Sequence, residues 1–416
     1  MTSTEDATTV APADRPAPPP QPEQSSRPPV DGSLPGGREW LIASAGHEAT
    51  VVEVGGGLRR YTVDGVDLLD GYPADELPRG CRGQILAPWA NRIRDGEYSF
   101  AGQDHQLPIG EIPTHTAFHG MVRWQGWEPQ IVESDSIVLT TVLQASDGYP
   151  FTIALAVRYD VGPDGLRVAH TATNIGRSAA PFMLATHCYP TVVGLNVDQL
   201  RLRVPAHSYL PTDERNLPLP SQPVADTQFD FADGPIFGDR VVDNAFGDLD
   251  RDADGLVRVT ITATDGHGVA LWSGDSFDWL QVYSSDTQTG LRFRRSFAVE
   301  PMTGPPDNFR SGADLISLQP GQQWSGRWGI HPVQPEGAVS QSGQVRQSAD
   351  GSGGTRMSPP VTGTARDLLP DATIEEAKLR HVDPVPIDSV EGIDSVHDVG
   401  DDDERITREI PPHSAG

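Results

Sequence analysis

The chain contains almost no lysine: among 416 residues there is one, Lys378. Residues 1–377 therefore cannot supply a Schiff-base nucleophile, a lysine for pyridoxal phosphate or the lysine of a phosphate-binding loop. Two cysteines, Cys81 and Cys188, are too few for a disulfide framework or a cysteine-rich zinc site. Several cofactor-dependent classes of enzyme are excluded, and we expect neither a cofactor nor a metal.

The sequence also lacks long apolar runs and an excess of positive charge. No run approaches 18 apolar residues, and the first residues show neither the basic nor the apolar segment of a secretory leader. The net charge is −27, of which −3 lies in residues 1–37 and −9 in residues 334–416, so −15 remains on residues 38–333. Such a surface repels nucleic-acid phosphates. We expect a cytoplasmic protein that binds neither nucleic acid nor a membrane.

Composition divides the chain into three parts. Residues 1–37 are rich in Pro and Ser and poor in apolar residues, which predicts a disordered extension. Residues 334–416 are rich in Gln, Ser, Gly and acidic side chains, which predicts a disordered acidic tail. Within that tail, residues 372–380 predict a nascent helix, a candidate contact for an unknown protein partner. Residues 38–333 are long enough for one large domain with its own core.

Alternating apolar and polar residues predict strands within residues 38–333. Residues 151–159 and 166–173 alternate and are joined by Gly-Pro-Asp-Gly, which predicts a hairpin. Similar patterns cover residues 137–143, 256–263, 268–272 and 279–283. No segment of this part keeps the 3.6-residue period of a helix. Strands separated by turns, without helices between them, predict an all-β fold with a large antiparallel sandwich or barrel.

The stretch FAVEPMTGPPDNF places a carboxylate after an apolar strand pattern. Residues 297–299 continue the pattern, and Pro301 after Glu300 predicts that the strand stops there. A half-buried carboxylate is costly unless it is paired or used in chemistry. His187 likewise follows an apolar run, PFMLAT. A lone histidine in this setting is more often structural, but a histidine and a glutamate at two strand ends form a candidate general acid–base pair.

Other polar residues are candidates for binding a sugar. A tryptophan beside Asn91 and Arg92 fits a sugar site, with an aromatic face under the ring and donors on its hydroxyls, although a surface arginine is the simpler interpretation. His115 and His119 have the spacing of two metal ligands on a helix, but the proline before and the glycine after them argue against a helix. We therefore favour a structural or substrate-facing His119. Asp243, between apolar residues, is by default a turn or capping aspartate.

Taken together, these stretches resemble the aldose 1-epimerase (galactose mutarotase-like) family over about residues 40–331. The motifs that carry the resemblance are PWANRI (88–93), FHG (118–120), GYPF (148–151), THCY (186–189), VDNAF (242–246), LQVY (280–283) and EPMTGPPD (300–307). Each is short, but their order and spacing make the match specific. The resemblance implies a large antiparallel β-supersandwich that opens and recloses a pyranose ring.

The resemblance also implies a role for each candidate residue. Glu300, ionised, resembles the general base that takes the proton of the C1 hydroxyl, and a protonated His187 resembles the general acid that protonates the ring oxygen. The residues implied in sugar binding are Asn91, Arg92, His119, Asp243 and Gln281. Where the family usually reads Gly-x-His-Pro-Tyr, this chain has Cys188 in place of the proline. We expect Cys188→Pro to leave turnover unchanged or to raise it.

Three functions remain open. The first is a cofactor-free aldose 1-epimerase acting on a monosaccharide such as glucose or galactose. The second is an epimerase of a hexose 6-phosphate or an unusual sugar, which needs arginines for the phosphate; the candidates are Arg92, Arg94, Arg123, Arg292, Arg294 and Arg295. The third is a non-catalytic sugar-binding or regulatory protein on the same fold. A glycoside hydrolase that uses Glu300 and Asp243 as its two carboxylates is less well supported than the His–Glu pair.

Overall fold

A computed structural model of the chain describes residues 33–335, and the strands of this part begin at Glu39 and end at Val333. The disordered extension, the acidic tail and the nascent helix over residues 372–380 fall outside the described residues, except for a few at their inner ends, and stay predictions. The strands, in chain order, are β1 (Glu39–Ser44), β2 (His47–Val52), β3 (Leu58–Val63), β4 (Val66–Asp67), β5 (Ile85–Leu86), β6 (Arg92–Arg94), β7 (Glu97–Phe100), β8 (Gln103–Gln106), β9 (Thr116–Phe118), β10 (Glu128–Val132), β11 (Ser136–Leu143), β12 (Ile153–Gly162), β13 (Gly165–Asn174), β14 (Ala180–Phe182), β15 (Ala185–Thr186), β16 (Arg201–Arg203), β17 (Ala206–Leu210), β18 (Gln222–Pro223), β19 (Asp243–Leu249), β20 (Val257–Thr262), β21 (Gly268–Ser273), β22 (Trp279–Tyr283), β23 (Ala298–Met302), β24 (Ile316–Leu318) and β25 (Gln323–Val333).

Helical structure in residues 33–335 is confined to single turns. The α-helix α1 spans Asn308–Ser311, and 3₁₀ turns lie at Arg79–Cys81, Val122–Trp124, Val197–Gln199 and Gly290–Arg292. None of these helices is long and apolar enough to cross a membrane.

Two large sheets dominate the described part. One has eight strands in the order β10-β11-β12-β13-β25-β21-β20-β16, and the other has seven in the order β18-β17-β19-β22-β23-β15-β5. A four-stranded sheet, β1 to β4, and the pairs β6–β9, β7–β8 and β14–β24 complete the set. The pairings between these strands are antiparallel, and one core of buried side chains draws on both large sheets. The predicted all-β antiparallel sandwich is confirmed.

The eight-stranded sheet shows why the alternating sequence forms strands. Along β12 every second side chain is buried and the intervening ones are half-buried, as expected for a strand with one face on the core. β12 and β13 form the predicted hairpin, with Gly162 opposite Gly165 across the turn.

The prediction that a strand stops at Glu300 is wrong. β23 continues to Met302, and Glu300 lies at its centre, 2% exposed rather than half-buried. Along a strand, alternate N–H groups point to the same neighbour. Val299 N donates to Cys188 O (2.9 Å) and Thr303 N donates to Leu184 O (3.0 Å). The N–H that Pro301 lacks therefore falls between these two bonds, and the strand continues with one bond fewer.

Candidate active site

A cavity of about 170 Å³ brings all seven predicted site residues together. Asn91, Arg92, His119, His187, Asp243, Gln281 and Glu300 line it, although they come from six separate segments of the chain. Their common location is a finding of the structure; the role of each residue stays a prediction.

Strand register explains one wall of this cavity, formed by Asp243, Gln281, Tyr283 and Glu300. Gln281 pairs directly with Glu300 across β22 and β23, and Asp243 pairs with Tyr283 across β19 and β22. Directly paired residues project to the same face of a sheet, and so do residues two apart on one strand. These four side chains therefore share a face, and Gln281 Nε2 donates to Asp243 Oδ1 (2.7 Å).

Asn91 and His119 lie side by side because β6 and β9 pair, with Arg92 opposite Phe118. The backbone N–H of Asn91 donates to His119 Nδ1 (3.1 Å), and the N–H of His119 donates to Asn91 O (3.0 Å). Both residues have left-handed backbones, with φ of 53° and 55°. Gly120 follows with φ of 68°, and any Cβ there would lie 2.2 Å from the carbonyl oxygen of Ala87. Only glycine fits, so the glycine after His119 is required for this turn.

His187 is held in the cavity by backbone bonds and by stacking. Its N–H donates to Gln84 O (3.0 Å) and its carbonyl accepts from Gly83 N (2.8 Å). The imidazole stacks on Tyr189 with ring centroids 5.1 Å apart and planes 17° from parallel. It also meets the ring of His119 edge-on at 5.3 Å. The imidazole is therefore fixed on two sides.

His187 and Glu300 face each other, with 3.3 Å between Nε2 and Oε1. Both side chains are almost fully buried. His187 Nδ1, Glu300 Oε2 and Gln281 Oε1 are buried and have no hydrogen-bond partner among the described residues. Buried polar atoms are usually paired, so these three have capacity for a further hydrogen bond.

Burial favours the uncharged form of both members of the pair. It raises the pKa of Glu300 well above its usual range; the charge of Asp243 acts in the same direction and that of Arg92 opposes it. Burial, with Arg82 and Arg123 nearby, lowers the pKa of His187 to about 3. These pKa directions favour a protonated Glu300 and a neutral His187 in the pair without substrate. The expected ionised Glu300 beside a protonated His187 stays a prediction for the pair with substrate bound.

The pKa values of the other ionisable site residues are shifted by burial, neighbouring charges and hydrogen bonds. Burial lowers the pKa of His119 well below its usual value. Burial raises the pKa of Asp243, although the charge of Arg92 acts in the opposite direction. For Arg92, burial acts to lower the pKa, but its hydrogen bonds to Glu111 raise it overall. The charged Arg92 can only donate to sugar hydroxyls, and the neutral His119, whose Nδ1 accepts from Asn91 N, can donate through Nε2.

A layer of residues around the site was not predicted from the sequence. Arg82 lies over the ring of Tyr189, 4.0 Å from its centroid, and its Nη2 is 2.9 Å from Asp70 Oδ2. Glu111 binds Arg92, and Trp124 lines the cavity beside Arg123. Of the residues that were not predicted, only Tyr189 lay within a quoted motif, and long-range pairs such as Asp70–Arg82 leave no periodic signal in a sequence.

His115 does not belong to the site. Its side chain is 67% exposed and bonds to Asp95, so the His115–His119 spacing does not produce a joint site. Within residues 33–335, no group of three His, Cys, Asp or Glu side chains is arranged to hold a metal ion.

Comparison with known proteins gives this fold and site a family. The sequence profile of the family Aldose 1-epimerase matches residues 39–331. The uncharacterized protein YihR of Escherichia coli K12 is 34% identical over 288 residues, which cover 69% of this chain and 90% of YihR. The galactose mutarotase of Mus musculus is 27% identical over 154 residues, 36% of this chain and 44% of the mouse protein.

A solved structure agrees on the fold. A GalM/aldose epimerase homologue from C. elegans matches with a TM-score of 0.63 at 19% identity, covering 71% of this chain and 100% of the homologue. Fold and sequence together define a galactose mutarotase-like protein. The chain belongs to the aldose 1-epimerase family.

Proposed function

We propose that this protein is an aldose 1-epimerase that interconverts the α and β anomers of a free aldohexose. The observation that supports this most directly is the His187–Glu300 pair, 3.3 Å apart, buried and facing a cavity rich in hydrogen-bonding side chains. Ring opening needs a base at the C1 hydroxyl and an acid at the ring oxygen, and these are the two kinds of group that the pair supplies.

Each half of the reaction conserves the single proton of the pair. In ring opening, the carboxylate of Glu300 accepts the proton of O1 while the imidazolium of His187 gives its proton to O5 and the C1–O5 bond breaks. The aldehyde then rotates about C1–C2. In closure, O5 attacks C1 and returns its proton to His187, while protonated Glu300 donates to O1. The pair then has its starting charges again.

The pKa directions fit the closing half as they stand, because a protonated Glu300 and a neutral His187 are its starting state. Opening requires the proton to move to His187. A C1 hydroxyl that donates to the Glu300 carboxylate stabilises its ionised form. Binding of the substrate therefore stabilises the state in which the proton lies on His187, the less favoured state of the pair without substrate.

Polarimetry of freshly dissolved α-D-glucose and α-D-galactose tests the proposal. We expect the wild type to accelerate equilibration and Glu300→Gln to lower kcat by about 10²- to 10⁴-fold. Saturable changes in tryptophan fluorescence with each sugar check that the variant still binds. No acceleration of either sugar by the wild type would contradict the proposal for free aldohexoses. Saturable binding without acceleration of any sugar would instead indicate a non-catalytic sugar-binding protein.

A second candidate, an epimerase of a phosphorylated sugar, is favoured by two arginines of the cavity. Arg79 and Arg123 line it, and within residues 33–335 neither has a carboxylate partner. Arg123 Nη1 contacts Cys81 Sγ (3.7 Å), and its guanidinium lies over Trp124. The other arginines considered from the sequence are paired with carboxylates: Arg92, Arg94, Arg292, Arg294 and Arg295.

The same assay with α-D-glucose 6-phosphate separates the two candidates. If the substrate is phosphorylated, Arg123→Gln lowers kcat/KM for the phosphorylated sugar by about 10- to 100-fold, since a charge-assisted hydrogen bond is lost. Its effect on glucose is then much smaller. Equal effects on both sugars would argue against a phosphate site at Arg123. The cytoplasmic location and a protein partner for the tail stay predictions from the sequence.

A further inference from the structure

Arg92 is held in the cavity by Glu111, a residue outside the predicted set. Glu111 accepts from Arg92 Nε at 2.6 Å and from Nη2 at 2.9 Å, one bond to each carboxylate oxygen. The two side chains are only 8% and 10% exposed. A planar guanidinium bound through two atoms to a carboxylate cannot rotate about its stem without breaking a bond. The orientation of Arg92 therefore depends on Glu111.

Glu111 is fixed in turn by its own loop. The hydroxyls of Thr114 and Thr116 both donate to Glu111 Oε2. Arg215, from a distant segment, donates through Nε to the carbonyl of Thr114 (2.8 Å) and holds the loop from outside. The carboxylate thus keeps hydrogen-bond donors of its own, apart from Arg92.

This arrangement decides what Arg92 presents to a ligand. Glu111 uses Nε and one N–H of Nη2, which leaves Nη1 and the second N–H of Nη2. The ring of Phe118 lies 5.0 Å from the guanidinium carbon and limits movement on one side. Arg92 is also the residue whose charge opposes the rise in pKa of Glu300. A displaced Arg92 would weaken both hydroxyl binding and this charge balance.

We propose that Glu111 is a positioning residue that fixes the guanidinium of Arg92 for binding sugar hydroxyls. The proposal rests on the proposed function, in which Arg92 contacts the sugar. Glu111 acts through Arg92 and not on the sugar directly. Its effect on the reaction should therefore vanish when Arg92 can no longer bind.

A double-mutant cycle tests this dependence. We expect Glu111→Gln to lower kcat/KM by about 10²-fold, with KM rising, because a displacement of about 1 Å at a positioning group has an effect of that size. In an Arg92→Met background the same substitution should change kcat/KM by no more than about twofold. Arg92→Met leaves Glu111 with its two threonine donors, so the background does not strand the carboxylate.

Two control variants separate positioning from general loss of structure. Arg59 and Glu39 form another ion pair, with one hydrogen bond of 2.8 Å and a second N–O distance of 2.7 Å, and neither residue lines the cavity. Glu39→Gln should leave kcat/KM unchanged. Thr114→Val keeps the Glu111–Arg92 pair and removes only a supporting hydroxyl, so its effect should be much smaller than that of Glu111→Gln.

Several outcomes would overturn the proposal: wild-type kcat/KM in Glu111→Gln, an equal loss in the Arg92→Met background, or an equal loss in Thr114→Val. If Glu111→Gln does not fold, Glu111→Asp is used, which keeps the charge and shortens its reach. If the wild type accelerates no sugar, the proposed function has failed. The cycle is then measured on the sugar Kd from tryptophan fluorescence, with the same pattern expected.

Discussion

The two large sheets have the same antiparallel construction but differ in what covers their faces. Along β12 of the eight-stranded sheet, buried and half-buried side chains alternate. In β23 of the seven-stranded sheet all five residues are buried. One face of β23 lies on the core through Val299, and the other carries Glu300 into the cavity. A strand buried on both faces that still carries a carboxylate therefore marks the face of the sheet on which the candidate site lies.

A buried histidine lies on the eight-stranded sheet and another lies beside the seven-stranded sheet, and the two differ in their partners. Burial lowers the pKa of His170 and of His187 alike, to about 3. His170, on β13, accepts at Nε2 from Trp328 Nε1 at 2.9 Å. His187, beside the seven-stranded sheet, has an unpartnered Nδ1 and faces Glu300. A shifted pKa alone does not distinguish a structural histidine from a candidate catalyst; the partner does.

Replacing each of the two histidines by glutamine should give the largest difference in kcat. We expect His187→Gln to lower kcat by about 10²- to 10⁴-fold, since a positioned acid is lost. His170→Gln should leave kcat unchanged and lower the free energy of unfolding by about 1–3 kcal/mol, because the indole N–H of Trp328 loses its acceptor. Polarimetry measures the first quantity and urea unfolding the second.

Either of two results would contradict the expected difference between His187 and His170. A rate in His187→Gln close to that of the wild type would remove the acid from the proposed mechanism. The other result is a loss of kcat in His170→Gln as large as in His187→Gln, at a temperature where the variant is folded. It would mean that His170 is not purely structural.

The pH dependence of kcat/KM is a second test of the difference between the His187–Glu300 pair and His170. The reaction needs one proton on the His187–Glu300 pair, so activity falls when the pair gains a second proton or loses its only one. The pKa of about 3 for His187 places the acid limb at low pH. The raised pKa of Glu300 places the alkaline limb well above the usual range of a glutamate. Beyond it, kcat/KM should fall about tenfold per pH unit.

His170→Gln is the control for this profile, because His170 has the same lowered pKa but does not belong to the pair. Its profile should match that of the wild type, measured as mutarotation above the buffer blank. An alkaline limb at an ordinary glutamate pKa would show that Glu300 is not the group that burial shifts.

Much of the fold could be predicted from the sequence because its strands alternate locally. Residues 279–283 were predicted as a strand and form β22 with the same bounds. The end of β23 could not be predicted in the same way. Pro301 signals a strand end by its missing N–H, and only the tertiary structure shows that the missing bond falls between two others.

The site was predictable where a residue belongs to a recognisable motif, and all seven candidates line one cavity. The charges of the pair were not predictable, because they depend on how deeply His187 and Glu300 are buried. Nor was Glu111, which lies 19 residues from Arg92, in the loop before β9, the strand that pairs with β6. Such partners are set by tertiary contacts that leave no local pattern.

The smallest effect is expected at Cys188, next to the candidate acid. Its carbonyl accepts from Val299 N and its Sγ lies 3.6 Å from Thr186 Oγ1. His187 is held by its own bonds to Gln84 and Gly83, which Cys188→Pro does not touch. We therefore expect kcat unchanged or raised and the free energy of unfolding changed by no more than about 1 kcal/mol, as for a compatible proline. Cys188→Ala, measured alongside by polarimetry, removes the thiol without fixing φ. A large loss of kcat in the proline variant alone would mean that the ring displaces His187, and that the cysteine is required for its placement.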